Sequence, residues 1–344
     1  MVLGQGWIAC RQRKTFCERA SPPSASAQPK SLQPLWRARR SRCRSFSIQC
    51  ILFPHAQLNT RNGTMINTLT QIGKSVFKKV APKTYWSMRL SVVRQKFPEK
   101  ELYIVPSLCD KSKMSIDIGA DRGIYTAHFV HLSRDCLAFE PRPANASILQ
   151  QMAEHLSLPI RVEIVALSDT AGEAKLRIPR DHGSSTIEDS NPLVDFEGST
   201  RFEIAVPTRR LDDYKLDAVG FIKIDVEGHE LAVLRGAAET IQRCHPSMLI
   251  EIEESHKLNS TRDVYNYLAG FGYEGYFLLD GNLISMADFN VGKYQDINNA
   301  GGWRNNWTCN GIYVNNFFFV LPDARSRLQS GAERFKNSLS VQAA

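Results

Sequence analysis

Strand-like and helix-like segments alternate along most of this chain, and this alternation limits its fold more than any other feature. Apolar runs of strand length begin at Met114, Cys136, Ile160, Phe221 and Met248, and segments with helical spacing separate most of them. Strands joined by helices run parallel and bury both faces of their sheet beneath those helices. The sequence therefore predicts an α/β fold with a mostly parallel sheet that is covered on both faces.

The boundaries of these segments follow from the spacing of their apolar residues. Strands are predicted at Met114–Ile118, Cys136–Glu140, Ile160–Leu167, Ala174–Ile178, Phe202–Val206, Phe221–Val226, Met248–Glu253, Tyr273–Leu279 and Asn316–Leu321. Helices are predicted at Tyr125–Leu132, Asn145–Leu156, Glu230–Arg243 and Thr261–Gly270. We expect residues 101–322 to form one domain and residues 323–344 to form a C-terminal tail.

Positive charge is concentrated before this domain. The chain carries 43 Lys and Arg against 35 Asp and Glu, and residues 1–64 hold eleven of the basic residues but only one acid, Glu18. The remainder is slightly acidic, which argues against a nucleic-acid partner, because a phosphate-binding surface belongs on the folded domain. Residues 1–64 show no sustained periodicity and are expected to be a disordered basic extension. They are either transit-like or precede a true start at Met65.

Residues 65–100 are predicted to be a helical segment. Apolar residues recur at helical spacing in two stripes, Leu69, Ile72, Val76 and Val80, then Trp86, Leu90, Val93 and Phe97. Lysines beside the first stripe suit peripheral membrane contact through residues 65–80, although packing on the domain or on a second copy is the favoured interpretation. No apolar run approaches the roughly 18 residues of a membrane span, and the cysteines lack zinc spacing. A cytoplasmic location is expected.

A glycine turn follows the first predicted strand, with the sequence D-I-G-A-D-R-G at residues 117–123. Gly119 permits a sharp turn close to a ligand, and Gly123 lets the next helix approach the strand. Dinucleotide folds place a helix N-terminus at a pyrophosphate with G-x-G-x-x-G, whereas this chain has G-x-x-x-G after an acid. Asp117 would repel a pyrophosphate but suits the cationic amino-acid end of S-adenosylmethionine. A tight turn in an unrelated α/β protein is the alternative.

Polar residues also end the next two predicted strands. Glu140 lies 21 residues beyond Gly119, where an acid accepts both ribose hydroxyls of an adenosine cofactor; a solvated strand-end glutamate is the alternative. Ser168 and Asp169 end the following strand. Either residue would bond the amine of an adenine ring, although Ser-Asp is also an ordinary turn start.

Ionisable residues crowd the strand end in F-I-K-I-D-V-E-G-H-E at residues 221–230. Such a cluster at the carboxyl end of a strand favours a functional site. Lys223, Asp225, Glu227 and His229 are therefore the candidate catalytic residues. Asp225 is the first candidate for a general base that deprotonates a hydroxyl, and His229 is the second. His229 is equally suited to cap the helix or to face solvent.

The order of these motifs resembles that of the FkbM family of methyltransferases, a branch of the class I S-adenosylmethionine-dependent enzymes. The shared motifs are D-I-G-A-x-x-G, F-E-P, V-A-L-S-D, V-P-T-x-x-L-D-D from Val206, I-K-I-D-V-E-G-x-E and N-N-F-F-F from Asn315, within about Met114–Val320. The resemblance implies a Rossmann-like class I fold with a mostly parallel, seven-stranded sheet, and S-adenosyl-L-methionine as cofactor. Asp121 departs from the family pattern, in which many relatives carry Asn.

The same resemblance assigns roles to individual residues. It implies that Asp117, Gly119 and Gly123 hold the methionine part of the cofactor and that Glu140 holds the ribose. It also places Ser168 and Asp169 near adenine. Lys223, Asp225 and Glu227 would lie beside the transferring methyl group.

The acceptor is the least constrained part of the prediction. The stretch N-N-A-G-G-W-R-N-N-W at residues 298–307 suits sugar hydroxyls and sugar faces, which favours O-methylation of a saccharide or another small molecule; packing of these tryptophans on the sheet is the alternative. No metal is expected, although Asp225, Glu251 and Glu253 would suit Mg²⁺. The competing functions are an NAD-dependent oxidoreductase, which the glycine spacing disfavours, a nucleic-acid methyltransferase, and a non-catalytic binding protein.

Overall fold

The structure, a computed structural model, describes residues 73–96, 99–178, 185–191, 202–299 and 311–342. Within these ranges, no helix is both long enough and apolar enough to cross a membrane. The extension at residues 1–64 lies outside the described residues, and so do both tryptophans of the Asn-rich stretch.

The centre of the domain is a sheet with eight strands among the described residues. These strands are β1 (Met114–Ile118), β2 (Cys136–Phe139), β3 (Ile160–Glu163), β7 (Val219–Ile224), β8 (Ser247–Glu251), β9 (Glu274–Leu279), β10 (Asn282–Ser285) and β11 (Asn316–Val320). Their order is β10-β9-β11-β8-β7-β1-β2-β3. Strands β3, β2, β1, β7 and β8 are mutually parallel, and β11 runs antiparallel to both β8 and β9. The predicted α/β sheet is thus confirmed, with one strand more than the seven expected.

Helices cover both faces of this sheet. They are α1 (Pro82–Lys96), α2 (Val105–Leu108), α3 (Ile124–Leu132), α4 (Pro143–Leu156), α5 (Glu230–Arg235), α6 (Ala238–Cys244), α7 (Ser260–Ala269), α8 (Val291–Tyr294) and α9 (Arg325–Gln342). Apolar residues of α5, α6 and α7 form one core with the sheet, whereas α2, α3 and α9 form another on its opposite face. Helix α4 packs beside α1 in a smaller cluster.

Strand β11 shows why a run of three phenylalanines belongs in the middle of this sheet. Phe317 and Phe319 are buried in the core beneath α5–α7, and Phe318 is buried in the core beneath α9. Successive side chains of a strand point to opposite faces, so a strand covered on both sides can be apolar at every position. Burial of each such ring contributes roughly 1.5–3 kcal/mol.

A second, smaller sheet lies between β3 and β7 in the sequence. It contains β4 (Ala166–Leu167), β5 (Gly172–Ile178) and β6 (Phe202–Arg209) in the order β4-β6-β5, and β5 and β6 pair antiparallel. The predicted strand Ile160–Leu167 is therefore wrong as a single element, because its first half pairs with β2 and its second half pairs with β6.

The predicted helix Glu230–Arg243 is also interrupted, and long-range packing explains the break. Gly236 ends α5, and a Cβ at this position would lie 2.0 Å from the carbonyl oxygen of Ser168. Close approach of these two backbone segments therefore requires glycine and divides the helix into α5 and α6.

Residues outside the predicted domain boundaries are structured as well. Residues 73–80 are helical and precede α1, in agreement with the helical spacing found there. The predicted C-terminal tail, residues 323–344, contains α9, whose Leu328, Ala332 and Phe335 are buried in the sheet core. The core therefore continues beyond residue 322.

Candidate functional site

The candidate residues gather at the carboxyl ends of β1, β2, β7 and β8. Strand β1 lies between β2 and β7, so the chain leaves β1 in one direction along the sheet and returns on its other side. In open α/β sheets, ligands bind at the carboxyl ends of strands where the order reverses in this way. The candidate residues therefore lie at the place in this fold where a ligand site is expected.

Gly119 and Gly123 shape the turn after β1 through close packing. Both have positive φ, at +78° and +86°, a region that favours glycine. A Cβ on Gly119 would lie 1.7 Å from the carbonyl oxygen of Asp225, and one on Gly123 would lie 2.2 Å from Leu149 Cδ2. The first glycine thus brings the β1 turn against the end of β7, and the second brings α3 against α4.

Asp117 is buried and holds the start of α3. Its Oδ2 accepts hydrogen bonds from the backbone N–H of Thr126, at 2.8 Å, and from the Thr126 hydroxyl. Burial raises the pKa of Asp117 to about 6, although the Thr126 hydroxyl and Lys223 act against this rise. The Asp117 side chain therefore joins the end of β1 to the first turn of α3, on either side of the glycine turn.

Glu140 bridges the β1 turn and the start of the segment before α4. Its Oε2 accepts from the backbone N–H of Asp121 at 2.7 Å, and its Oε1 accepts from the backbone N–H and the Nε of Arg142 at 2.9 and 3.2 Å. Asp121 pairs with the Arg142 guanidinium and accepts from Asn145 Nδ2 at 2.5 Å. Burial raises the pKa of Glu140, and Arg142 opposes this effect.

Lys223 is a buried ammonium group among carboxylates. It lies beside Asp117 in the β1–β7 register, and its Nζ is 3.8 Å from Asp225 Oδ2 and 3.7 Å from Glu251 Oε2. Burial lowers the pKa of Lys223, but the surrounding carboxylates outweigh this and hold the pKa above its usual value. The side chains of Asp225 and Glu251 keep exposed fractions of 35% and 24%, so both carboxyl groups are accessible from outside.

Two residues that sequence reasoning missed complete this group. The Tyr125 hydroxyl donates a hydrogen bond to Glu99, and Lys223 Nζ lies 5.2 Å from the centre of the Tyr125 ring. Burial raises the pKa of Glu99, and Lys223 opposes the rise. We call Glu99, Asp117, Lys223, Asp225 and Glu251 the carboxylate cluster. Its four acids surround one base, an arrangement that favours a cationic ligand over an anionic one.

Glu251 is oriented by the residues that lead into β11. Asn315 Nδ2 donates to Glu251 Oε1 at 2.7 Å and to Glu253 Oε1 at 3.0 Å, and the hydroxyl of Tyr313 donates to Glu253 Oε2 at 2.6 Å. Burial and the nearby Asp225 raise the pKa of Glu251 well above its usual value. The N-N-F-F-F motif contained the signal for Asn315, but nothing in the sequence assigned it a partner.

His229 lies in a different network from Asp225. Its Nε2 is 2.9 Å from the Ser168 hydroxyl, and its Nδ1 is 3.2 Å from Glu188 Oε2. Lys257 Nζ donates to the same Glu188 oxygen at 2.9 Å, and Ser168 also bonds to Asp169. Burial lowers the pKa of His229 against the opposing effect of Glu188. Both ring nitrogens are engaged, so His229 joins the end of β4 to segment 185–191.

Glu227 is likewise turned towards other partners. Its Oε2 is 3.2 Å from His256 Nε2, and its carbonyl oxygen accepts from Thr186 Oγ1 and from Asn191 Nδ2, both at 2.9 Å. Its φ of +56° shows that the backbone turns sharply here. Segment 185–191 therefore fixes the loop after β7 from the side of the small sheet.

Not all candidate residues thus meet at one point. Lys223, Asp225 and Asp117 lie together, whereas Glu140, Glu227 and His229 lie in neighbouring networks. Across the described ranges, no group of three or more His, Cys, Asp and Glu side chains is arranged to hold a metal ion.

Comparison with known proteins identifies the domain that carries these networks. Residues 117–274 match the family described as the methyltransferase FkbM domain. We call this matched region, residues 117–274, the FkbM domain. The matched range begins within β1 and ends at the first residue of β9, so it contains Asp117, Lys223, Asp225 and Glu251, whereas Glu99 and Asn315 lie outside it.

Individual relatives resemble the FkbM domain at low identity. "Methyltransferase 1" of Beauveria bassiana is 27% identical over 161 residues, which cover 41% of this chain and 64% of that protein. An FkbM methyltransferase structure from Methylobacillus flagellatus is 19% identical with a TM-score of 0.41, covering 76% of this chain and 56% of that one. An rRNA methylase structure from Streptococcus thermophilus is 12% identical with a TM-score of 0.36, covering 66% and 94%. The match thus spans less than two thirds of the length of the first two proteins.

Proposed function

We propose that this protein is a methyltransferase that uses S-adenosyl-L-methionine, and that it methylates a hydroxyl oxygen on a saccharide or another small molecule. The observation that carries the proposal is the carboxylate cluster, which lies in the FkbM domain where the strand order reverses. Asp225 and Glu251, both partly exposed, face one buried ammonium group. At this position the carboxyl groups outnumber the single base, which suits the positive sulfonium and ammonium groups of the cofactor better than the pyrophosphate of a dinucleotide.

The residues around the cluster fit the remaining parts of the cofactor. The turn at Gly119 and Gly123 would border the methionine part, with Asp117 fixing the turn. Glu140 uses three of the roughly four acceptor positions of a carboxylate on Asp121 and Arg142. Its remaining acceptor position would bind one ribose hydroxyl, rather than the two that the sequence predicts. Ser168 and Asp169, at the end of β4, would lie on the adenine side.

The cofactor supplies an electrophilic methyl group, and the residues of this chain would orient the acceptor oxygen and receive its proton. Placing the acceptor oxygen in line with the breaking bond between the sulfur and the methyl carbon provides much of the rate gain in such a displacement. Asp225 is the candidate general base because its side chain combines exposure with a position 3.8 Å from the Lys223 ammonium. His229 is the weaker candidate, because Ser168 and Glu188 already bond to its two nitrogens.

The partner class follows from charge and site chemistry. Residues 97–344 carry 25 Lys and Arg against 34 Asp and Glu, so a nucleic-acid acceptor would meet an acidic surface. A small neutral acceptor with hydroxyl groups suits the site better. A nicotinamide dinucleotide cofactor and a non-catalytic binding role remain the competing functions for the test below.

Methyl transfer from S-adenosylmethionine labelled on its methyl carbon tests this proposal. We expect the full chain to label at least one acceptor in fractionated saccharide and small-molecule pools. Asp225→Asn should lower the rate by about 10²- to 10⁴-fold, because it removes the base. The matched control Asp217→Asn changes an exposed acid and should keep the wild-type rate. Label in no fraction, or equal rates for Asp225→Asn and wild type, would contradict the proposal.

A further inference from the structure

A helical arm before the FkbM domain, residues 73–96, differs sharply in charge from the residues that follow it. It contains seven basic residues and no acid, whereas residues 97–344 have an excess of acids. The basic residues are Lys74, Lys78, Lys79, Lys83, Arg89, Arg94 and Lys96. A charge pattern of this kind is typical of a surface that binds an anionic partner.

Packing divides the two helices of the arm. Helix α1 buries Trp86 and Val93, and Trp86 belongs to the same cluster as Leu149 and Met152 of α4. The favoured interpretation, packing on the domain, thus holds for Trp86 and Val93 of the second apolar stripe. In the first stripe, Val76 and Val80 are 54% and 78% exposed, and Leu69 and Ile72 lie outside the described residues. Within the part of the chain that the structure describes, more than half of each valine side chain is therefore uncovered.

The exposed side of the arm combines these valines with lysines. Val76, Lys79 and Val80 are separated by three residues and by one, which places them on one side of the helix at residues 73–80. Lys83 lies in the first turn of α1, and all four side chains are exposed. We call these four residues the outer face. Lys78, in contrast, lies against the Trp86 ring, 4.9 Å from its centre. Lys78 therefore contacts a side chain of the arm itself, whereas Lys79 and Lys83 are exposed to solvent.

We propose that the outer face binds the surface of a bilayer that contains anionic phospholipids. The lysines would approach lipid phosphates, and the valines would enter the region between headgroups and acyl chains. The interleaved aliphatic side chains favour a lipid partner over a nucleic acid, because they offer nothing to phosphates or base edges and the adjoining domain is acidic. This inference does not depend on the methyl acceptor.

Sedimentation of the full chain with vesicles tests the proposal. The probes are phosphatidylcholine vesicles with and without phosphatidylserine. We expect binding that requires phosphatidylserine and weakens with salt. Lys79→Glu with Lys83→Glu should lower the partition coefficient by about 30-fold or more, since each basic residue near such a surface supplies about a fivefold factor. Val76→Ser with Val80→Ser, which keeps the charge, should also weaken binding.

A charge-matched control shows whether the change in net charge alone explains the loss of vesicle binding. Lys175→Glu with Lys215→Glu alters two exposed lysines of the domain by the same total charge and should leave binding close to wild type. Equal losses in the two charge variants, or no binding by the wild-type chain, would overturn the proposal. A dimer in solution that the valine substitutions dissociate would also overturn it, because a second copy would then cover the outer face.

Discussion

At the scale of single residues, burial sets the protonation of acids around the loop after β7. Glu230 is buried, its Oε1 accepts from the backbone N–H of Gly228 at 2.8 Å, and its Oε2 has no hydrogen-bond partner. Burial raises the pKa of Glu230 to about 7. The folded protein therefore retains this proton to higher pH than the unfolded chain, and folding stability falls as pH rises from about 4.5 to 7.

We predict that Glu230→Gln stabilises the protein at pH 8 but changes little at pH 4 to 5. The glutamine keeps an acceptor for Gly228 and removes a buried charge whose cost approaches roughly 3 kcal/mol above pH 7. Thermal unfolding monitored by circular dichroism at both pH values measures the difference. Glu239→Gln, at an exposed helix position, serves as the control. An equal stability difference at the two pH values would contradict the raised pKa.

The sequence predicted the site residues with local signals and missed those that depend on long-range contacts. Asp117, Lys223 and Asp225 were found because charges inside apolar strands are conspicuous. Glu99 and Tyr125 carried no such signal, since their contact joins segments 26 residues apart in a way that no spacing rule describes. His229 was grouped with Asp225 by sequence proximity, whereas its partners Ser168 and Glu188 are distant in the chain.

At the scale of elements, periodicity predicted most strands because buried parallel strands are short and continuously apolar. Breaks caused by tertiary contacts were not predictable, as at Gly236, where the approach of the Ser168 backbone ends α5. Helix α9 was also missed. Its polar composition gives a weak apolar stripe, although Leu328, Ala332 and Phe335 are buried against the sheet.

We predict that α9 is part of the cooperative core. Leu328→Ala should lower the free energy of unfolding by about 2–5 kcal/mol, because it removes a fully buried side chain and leaves a cavity. Ser330→Ala, on an exposed position of the same helix, should change it by less than about 0.5 kcal/mol. Urea denaturation measures both variants. A single transition with wild-type stability for Leu328→Ala would show that α9 is not coupled to the sheet.

At the scale of the whole molecule, basic and acidic residues are concentrated in different parts of the chain. Basic residues dominate residues 1–96 and acids dominate residues 97–344. Within the domain, the carboxylate cluster lies where the sheet order reverses. This separation allows an anionic surface to be approached by the arm and a cationic ligand to be bound by the domain.

Isothermal titration of S-adenosylmethionine and of NAD⁺ into the full chain shows which cofactor the carboxylate cluster accepts. We expect a saturable heat with S-adenosylmethionine and none with NAD⁺. The affinity should fall by about tenfold or more in Glu140→Ala, through loss of charge-assisted hydrogen bonds, and should be unchanged in Glu173→Ala at an exposed position of β5. Binding of NAD⁺ in preference to S-adenosylmethionine would show that the protein is not an S-adenosylmethionine-binding methyltransferase.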